Sequence, residues 1–212
     1  YRSLFLLDDT AFEHFKNQKT IKSYKGTFSV DKIVFDIDKG KNSGEDTVLR
    51  TKHFIEALFD MGLDRDLIRV WFSGRGFHVE IPDAYGFEES TKLPYIVKLT
   101  IDKQFGNMVD NIYDRGRLIR VGYSYNLKSK LYKTPIDLEE IDTLSYNEIT
   151  DLCKDFFTRQ YEPLPTDVEK IWGDRIELPA ETTTDIEYNN NTQKYNANVT
   201  CVQKMWDSTK EG

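Results

Sequence analysis

The chain has 212 residues, 39% of them hydrophobic, with 13 phenylalanines and 12 tyrosines, enough apolar material for a sizeable core. Its net charge of −7 excludes a uniformly basic nucleic-acid binder, but residues 1–137 carry 22 Lys/Arg against 20 Asp/Glu and residues 138–212 carry 7 against 16. No apolar run approaches the ~20 residues of a membrane span and the N-terminus lacks a signal-peptide pattern, so no membrane partner is expected; two cysteines without close partner spacing suit a reducing cytoplasm.

In chain order, a short strand is predicted near Ser3–Leu7 and a helix near Thr10–Gln18. Lys32–Asp38 alternates as a strand, with Ile33, Phe35 and Ile37 on one face. A polar loop, Lys39–Glu45, precedes a helix from about Asp46 to Met61, stopped by Gly62. Two apolar strands, Ile68–Phe72 and Phe77–Ile81, are joined by the turn-rich Ser73-Gly74-Arg75-Gly76. Ser90 or Thr91 can cap a helix with Pro94 in its first turn; Leu93, Val97, Ile101 and Phe105 form its buried stripe and Gly106 ends it.

Leu118–Val121 and Leu131–Ile136 read as strands, and Ser145 with Glu148 forms a capping-box pattern. The two cysteines, Cys153 and Cys201, lack metal-site spacing; Cys153 lies on an apolar helix face and is expected to be buried. Thr182–Thr192 is polar and reads as linker, and Val199, Val202, Met205 and Trp206 begin an amphipathic pattern. Tyr1 at one end and Lys-Glu-Gly at the other read as cuts through a longer protein. Strands and helices mixed in this way favour an α+β domain.

Three constellations suggest chemistry. In Ile33-Val34-Phe35-Asp36-Ile37-Asp38, the two aspartates fall on the same side of a strand. Carboxylates so close repel each other unless a cation lies between them, and hard Mg²⁺ or Mn²⁺ suits them. In Ser73-Gly74-Arg75-Gly76-Phe77-His78, the glycines let the backbone approach a ligand. Ser73 and Arg75 offer phosphate donors, and the alternation turns His78 away from Phe77 and Val79. In Asp110–Lys133, Asp110 is a candidate third carboxylate. Six basic residues and no acidic one lie between Arg115 and Lys133, and Arg120, Ser124, Asn126 and Lys128 are candidate phosphate holders. Tyr123 and Tyr125 are candidate base-stacking rings.

Taken in order, Phe35-Asp36-Ile37-Asp38, Ser73-Gly74-Arg75-Gly76-Phe77-His78, Val109-Asp110 and Arg117-Leu118-Ile119-Arg120 with Ser124, Asn126 and Lys128 resemble the archaeo-eukaryotic primase superfamily over roughly residues 30–137. The closest flavour is the primase–polymerase domain of phage, plasmid and mobile-element replication proteins. The resemblance implies a catalytic core with an RRM-like palm and a short, mostly helical C-terminal extension. The implied boundaries are a catalytic domain at 1–160, a linker at 161–196 and the start of a helical domain at 197–212.

It also implies DNA primase and polymerase activity on a single-stranded DNA template with NTP or dNTP substrates and release of pyrophosphate. Helical and helicase domains are the implied neighbours in a longer protein. Asp36, Asp38 and Asp110 would hold two divalent metals, and Ser73, Arg75, His78, Arg120, Ser124, Asn126 and Lys128 would bind nucleotide. Asp114 and Asp137 are rival third ligands, and Asn126 stands where many members carry His. Two other readings use the same residues: a catalytically idle single-stranded nucleic-acid module and a metal-dependent nuclease.

Overall fold

The alternation of Ile33, Phe35 and Ile37 produces the central strand β4 of a mixed α+β fold. The computed structural model describes residues 1–21, 23–106, 108–156, 164–166, 168 and 170–172. In chain order it contains β1 (Arg2–Ser3), β2 (Leu6–Leu7), α1 (Thr10–Gln18), β3 (Phe28–Ser29), β4 (Lys32–Ile37), α2 (Gly44–Asp60), β5 (Arg69–Phe72), β6 (Phe77–Pro82) and α3 (Leu93–Phe105). There follow β7 (Leu118–Ile119), β8 (Tyr125–Asn126), β9 (Leu131–Tyr132), β10 (Thr134–Ile136), α4 (Leu138–Thr143) and α5 (Tyr146–Leu152).

The main sheet has the order β10-β5-β6-β4, antiparallel throughout. Asp110 extends it beyond β4 through one antiparallel bridge to Asp36. The succession is therefore strand, helix, two strands, helix and bridge, a split β-α-β arrangement whose last strand is reduced to one residue pair.

One face of this sheet is apolar. Phe35 meets Phe54 of α2 at 4.8 Å and Phe105 of α3 at 4.9 Å, while Phe54 and Phe105 lie 5.2 Å apart, all edge-to-face. Such pairs add specificity to ordinary apolar burial, and this trio seats both helices on the same face. The other face is polar. Register places Asp36 opposite His78 and His78 opposite Trp71; Val34 faces Glu80, which faces Arg69. The basic segment and the β8–β9 hairpin fold over this face. Because β6 is covered on both sides, all six of its residues are buried.

The predicted helix at 10–18 and the strands around Asp36 and His78 are observed. So is the capping box of α5, through Ser145 and Glu148; α2 carries one as well, through Ser43 and Asp46, which the polar-loop reading of 39–45 does not anticipate. Ser3–Leu7 divides in two, because Arg2–Ser3 pairs with Leu118–Ile119 whereas Leu6–Leu7 pairs with Phe28–Ser29. Leu118–Val121 shortens to β7, and Leu131–Ile136 splits at Lys133 into β9 and β10. Neither Ser90 nor Thr91 is the N-cap of α3, which is Lys92; the Ser90 backbone is held instead by reciprocal hydrogen bonds with Phe28.

Helix α4 has no counterpart among the predicted elements, although Asp137 and Glu140 carry the same capping logic as Ser145 and Glu148. Cys153 is fully buried, and Cys201 lies outside the described residues. Within the expected linker at 161–196, Trp172 packs edge-on against Tyr85 at 5.0 Å and donates its indole N–H to the Met61 carbonyl. A ring of that size buries itself wherever the domain offers an apolar surface. Thr182–Thr192 and the pattern from Val199 to Trp206 lie outside the described residues. Among the described residues no helix is long and apolar enough to cross a membrane.

Candidate active site

The polar face of the sheet gathers its carboxylates at the C-terminal end of β4. Tyr113 makes this possible. Its buried hydroxyl accepts from the Val34 N–H at 2.7 Å and donates to the Val34 carbonyl at 2.9 Å, with Val109 and Ile112 buried beside it. Thus anchored, the chain after α3 runs past β4 so that the Asp110 N–H donates to the Asp36 carbonyl at 2.7 Å. The Asp38 N–H in turn donates to Asp110 Oδ2 at 3.2 Å. Asp36, Asp38 and Asp110 therefore form one backbone-linked cluster.

The rival carboxylates stand apart from it. Asp114 pairs with Lys98 at 3.3 Å, and Asp137 caps α4.

The Asp36 carboxyl is pushed up to about 7, first by burial and then by the neighbouring Asp110 and Asp38 carboxylates; Arg117 and Lys133 offset only part of this. His78 Nε2 lies 3.6 Å from Asp36 Oδ1. Burial, with Lys133, Arg120 and Lys32 nearby, holds its imidazole well below the ordinary histidine range. The histidine is therefore neutral at pH 7.

The Ser73–Gly76 turn packs tightly on this cluster. A Cβ on Gly76 would run into the Ile37 carbonyl and lie 2.8 Å from Asp38 Cα, so only glycine permits the approach. Arg75 Nη2 donates to Asp38 Oδ2 at 3.0 Å and Oδ1 at 3.3 Å. Tyr146 of α5 donates its hydroxyl to the Arg75 carbonyl at 3.1 Å and carries Lys39 over its ring.

The basic segment divides. Arg120 reaches the turn, whereas Ser124, Asn126 and Lys128 are not brought to the carboxylates. Ser124 Oγ donates to the Val121 carbonyl at 2.7 Å, Asn126 Oδ1 accepts from the Lys128 N–H at 3.0 Å, and Lys128 itself is exposed. Ser124 and Asn126 thus shape the hairpin that contains them. Tyr123 packs edge-on against Trp71, and Tyr125 is exposed beside Tyr132.

Sequence reasoning missed four side chains here: Tyr113, Tyr146, Ser129 and Lys133. Lys133 is buried between Glu80, at 3.3 Å, and the Arg120 carbonyl, at 3.0 Å, with Lys32 on the other Glu80 oxygen. Burial pulls the Lys133 ammonium down to about 8 against the pull of Glu80, while Glu80, despite its burial, is held below the ordinary range by Lys133 and Lys32. A lysine inside an apolar strand pattern was the one available signal; nothing local marked Ser129.

Among the described residues, no three His, Cys, Asp or Glu side chains already stand as a ready-made metal-ligating group; Asp38 is turned toward Arg75. The donor chemistry nevertheless fits a hard cation: three carboxylates share one end of a strand, and two of them raise the pKa of the third. An apolar hollow of about 380 Å³ lined by Leu7, Ala11, Phe12, Phe15, Ile21 and Leu118 contains none of these residues. Comparisons with protein-family models, curated proteins and solved structures find no match.

Proposed function

We propose that the chain is a primase–polymerase catalytic domain of the archaeo-eukaryotic type, carrying out template-directed nucleotidyl transfer on single-stranded DNA. The observation that carries this reading is the conjunction at the end of β4. The Asp36–Asp38–Asp110 cluster is flanked by the Ser73–Gly76 turn, and that turn is flanked by Arg120. The strand-helix-strand-strand-helix-bridge order supports an RRM-like palm beneath it.

Asp36, Asp38 and Asp110 would hold Mg²⁺ or Mn²⁺, which supplies charge neutralisation at the attacking and leaving oxygens. The chain's own side chains position the substrates. Arg75 exchanges Asp38 for phosphate oxygens, which its planar fork suits equally. Arg120 holds phosphate from the far side of the turn. His78, neutral in its buried setting, offers a hydrogen bond without adding charge. Tyr125, exposed on the hairpin beside Lys128, is available to stack on a template base. Catalysis in this reading is positioning and electrostatics, with no covalent intermediate on the protein.

The deciding experiment is primer synthesis and extension on single-stranded DNA with Mg²⁺ or Mn²⁺, offering NTPs and dNTPs separately. The expected product is an extended strand, lost in Asp36→Asn and Asp110→Asn. Shortened strands with Mn²⁺ and no nucleotides would instead make the cluster a nuclease centre. DNA binding that persists with neither reaction would make the domain a binding module.

A further inference from the structure

Helix α1 turns its outer rings to solvent beside β7. Phe12 is 72% exposed, Phe15 53% and Leu118 60%, and all three line the apolar hollow of about 380 Å³ that they share with Leu7 and Ala11. A single exposed apolar side chain needs no explanation, but three around one concavity mark a surface that takes a partner.

The rim is basic. The stretch from His14 to Val30, which contributes Phe15 and Ile21 to the lining, carries four lysines and no acidic residue; Arg117 stands between the lining residues Gly116 and Leu118. Lys19 and Arg117 are exposed and make no ion pair among the described residues. Lys16 has only a loose pair with Glu13, at 3.9 Å. Of the nearby carboxylates, Asp8 is taken up by Thr10, Tyr24 and Thr27, and Asp9 is the N-cap of α1. An apolar hollow with cations on its rim suits apolar side chains flanked by carboxylates. It suits a nucleobase poorly, because only Ser3, Thr20 and Gly116 in the lining could meet the polar edge of a base, and burying unpaired donors is costly.

The chain itself contains such a segment. Residues 174–188 hold five carboxylates, Asp174, Glu177, Glu181, Asp185 and Glu187, against the single Arg175. In Asp185-Ile186-Glu187-Tyr188 acidic and apolar residues alternate, so an extended segment would present Ile186 and Tyr188 on one side.

The segment is within reach. The Trp172 N–H donates to the Ala84 carbonyl at 2.9 Å, the Ser90 and Phe28 backbones exchange hydrogen bonds, and Phe28 pairs with Leu7 at the hollow. The six residues from Ala84 to Ser90 span at most about 23 Å, and each backbone pairing adds about 5.5 Å. Leu7 therefore lies no more than about 40 Å from Trp172, whereas the chain from Trp172 to Ile186 extends to about 46 Å.

We infer that Asp185–Tyr188 docks on the hollow between α1 and β7, with Ile186 and Tyr188 entering it and Asp185 and Glu187 meeting Lys16, Lys19 and Arg117. The segment is then a strap over an apolar surface that the described residues leave open. This docking is independent of the nucleotidyl-transfer reading.

The test uses the whole chain with Cys201→Ser and Asn189→Cys. Cys153 is fully buried, so a nitroxide attaches beside Tyr188. Paramagnetic broadening of amide NMR signals, referred to the reduced label, should be strong for residues 11–21 and 116–118 and absent for α4. The selective broadening should be lost in Leu118→Asp, and in Ile186→Ser combined with Tyr188→Ser. The second variant leaves every described residue unaltered and keeps the test valid if Leu118→Asp folds poorly. Broadening that is absent or uniform overturns the docking, as does selective broadening that survives the Ile186/Tyr188 double substitution. Broadening of the same residues in an isotope-labelled chain without nitroxide, mixed with a spin-labelled unlabelled chain, overturns it in favour of a second copy. Shifts of Phe12, Phe15 and Leu118 on adding single-stranded DNA, with no broadening from the nitroxide, overturn it in favour of nucleic acid.

Discussion

The Asp110 N–H donates to the Asp36 carbonyl at 2.7 Å, and this single antiparallel bridge places two carboxylates 74 positions apart in sequence on adjoining backbone. Their proximity, together with Asp38, leaves Asp36 reluctant to ionise. That cost is what a cation between the carboxylates would relieve, and it has consequences in the absence of any metal.

One consequence is a pH-dependent stability. The carboxyl of Asp36 titrates near 7 in the folded chain against an ordinary 3.8. Between these values the folded form binds more protons than the unfolded form, so stability falls as pH rises through the window. Below about pH 4 the cost is absent, and above about pH 7 it is complete. Asp36→Asn should therefore melt near wild type at pH 4 and increasingly above it towards pH 7, with no further gain beyond. Added Mn²⁺ should narrow the gap by stabilising only the wild type. A melting difference that is flat with pH would contradict the cluster.

The third-ligand assignment separates three aspartates. Asp110→Asn should abolish Mn²⁺ binding and synthesis. Asp114→Asn loses only the Lys98 pair, a partly exposed contact worth at most about 1 kcal/mol. It should retain activity within about twofold of wild type, because that energy lies outside the reacting centre. Asp137→Asn should leave activity intact as well, since asparagine caps a helix nearly as well as aspartate. Calorimetric Mn²⁺ titration of the three variants distinguishes them.

Arg75 occupies the Asp38 carboxylate, so on the proposed reading it would compete with a metal there. Its ion pair is half-exposed on both sides and contributes little stability. Arg75→Ala should melt within a few degrees of wild type and bind Mn²⁺ at least as tightly. Its nucleotide KM should rise roughly tenfold, the cost of one hydrogen bond to a charged group. Weaker Mn²⁺ binding in this variant would show that Arg75 supports the carboxylates rather than occupying one of them.

Lys133 holds the basic segment onto the sheet. Replacing it with Met removes a buried partner of Glu80 and the donor to the Arg120 carbonyl. Breaking a buried pair costs roughly 3–5 kcal/mol, lessened here because Lys32 keeps its hold on Glu80. The double variant Lys133→Met with Glu80→Gln should recover part of that loss in chemical denaturation. Strict additivity of the two substitutions would mean that the pair does not act as a unit.

Much of the scaffold was legible in the chain. Helix α1 matched its predicted span, and β4, β5 and β6 fell within a residue of theirs, because alternating apolar residues have only one way to face a core. The Asp36/Asp38 side and its separation from Phe35 followed from strand alternation alone. Helix α4 was legible in principle, since Asp137 and Glu140 form a capping box; its six residues were too few to show a period.

What the sequence determined by itself was therefore local: the strand that presents Asp36 and Asp38, and the glycine turn that follows β5. Tertiary structure decided the rest. It brought Asp110, rather than Asp114 or Asp137, beside Asp36 because Tyr113 clamps the chain to both backbone groups of Val34, a contact across 79 positions. It turned Ser124 and Asn126 inward to their own hairpin and brought Ser129 to Gly74 instead. Spacing along a chain fixes which side chains share a strand face, but only packing between distant segments fixes which of them meet across a gap. A site is made of such meetings.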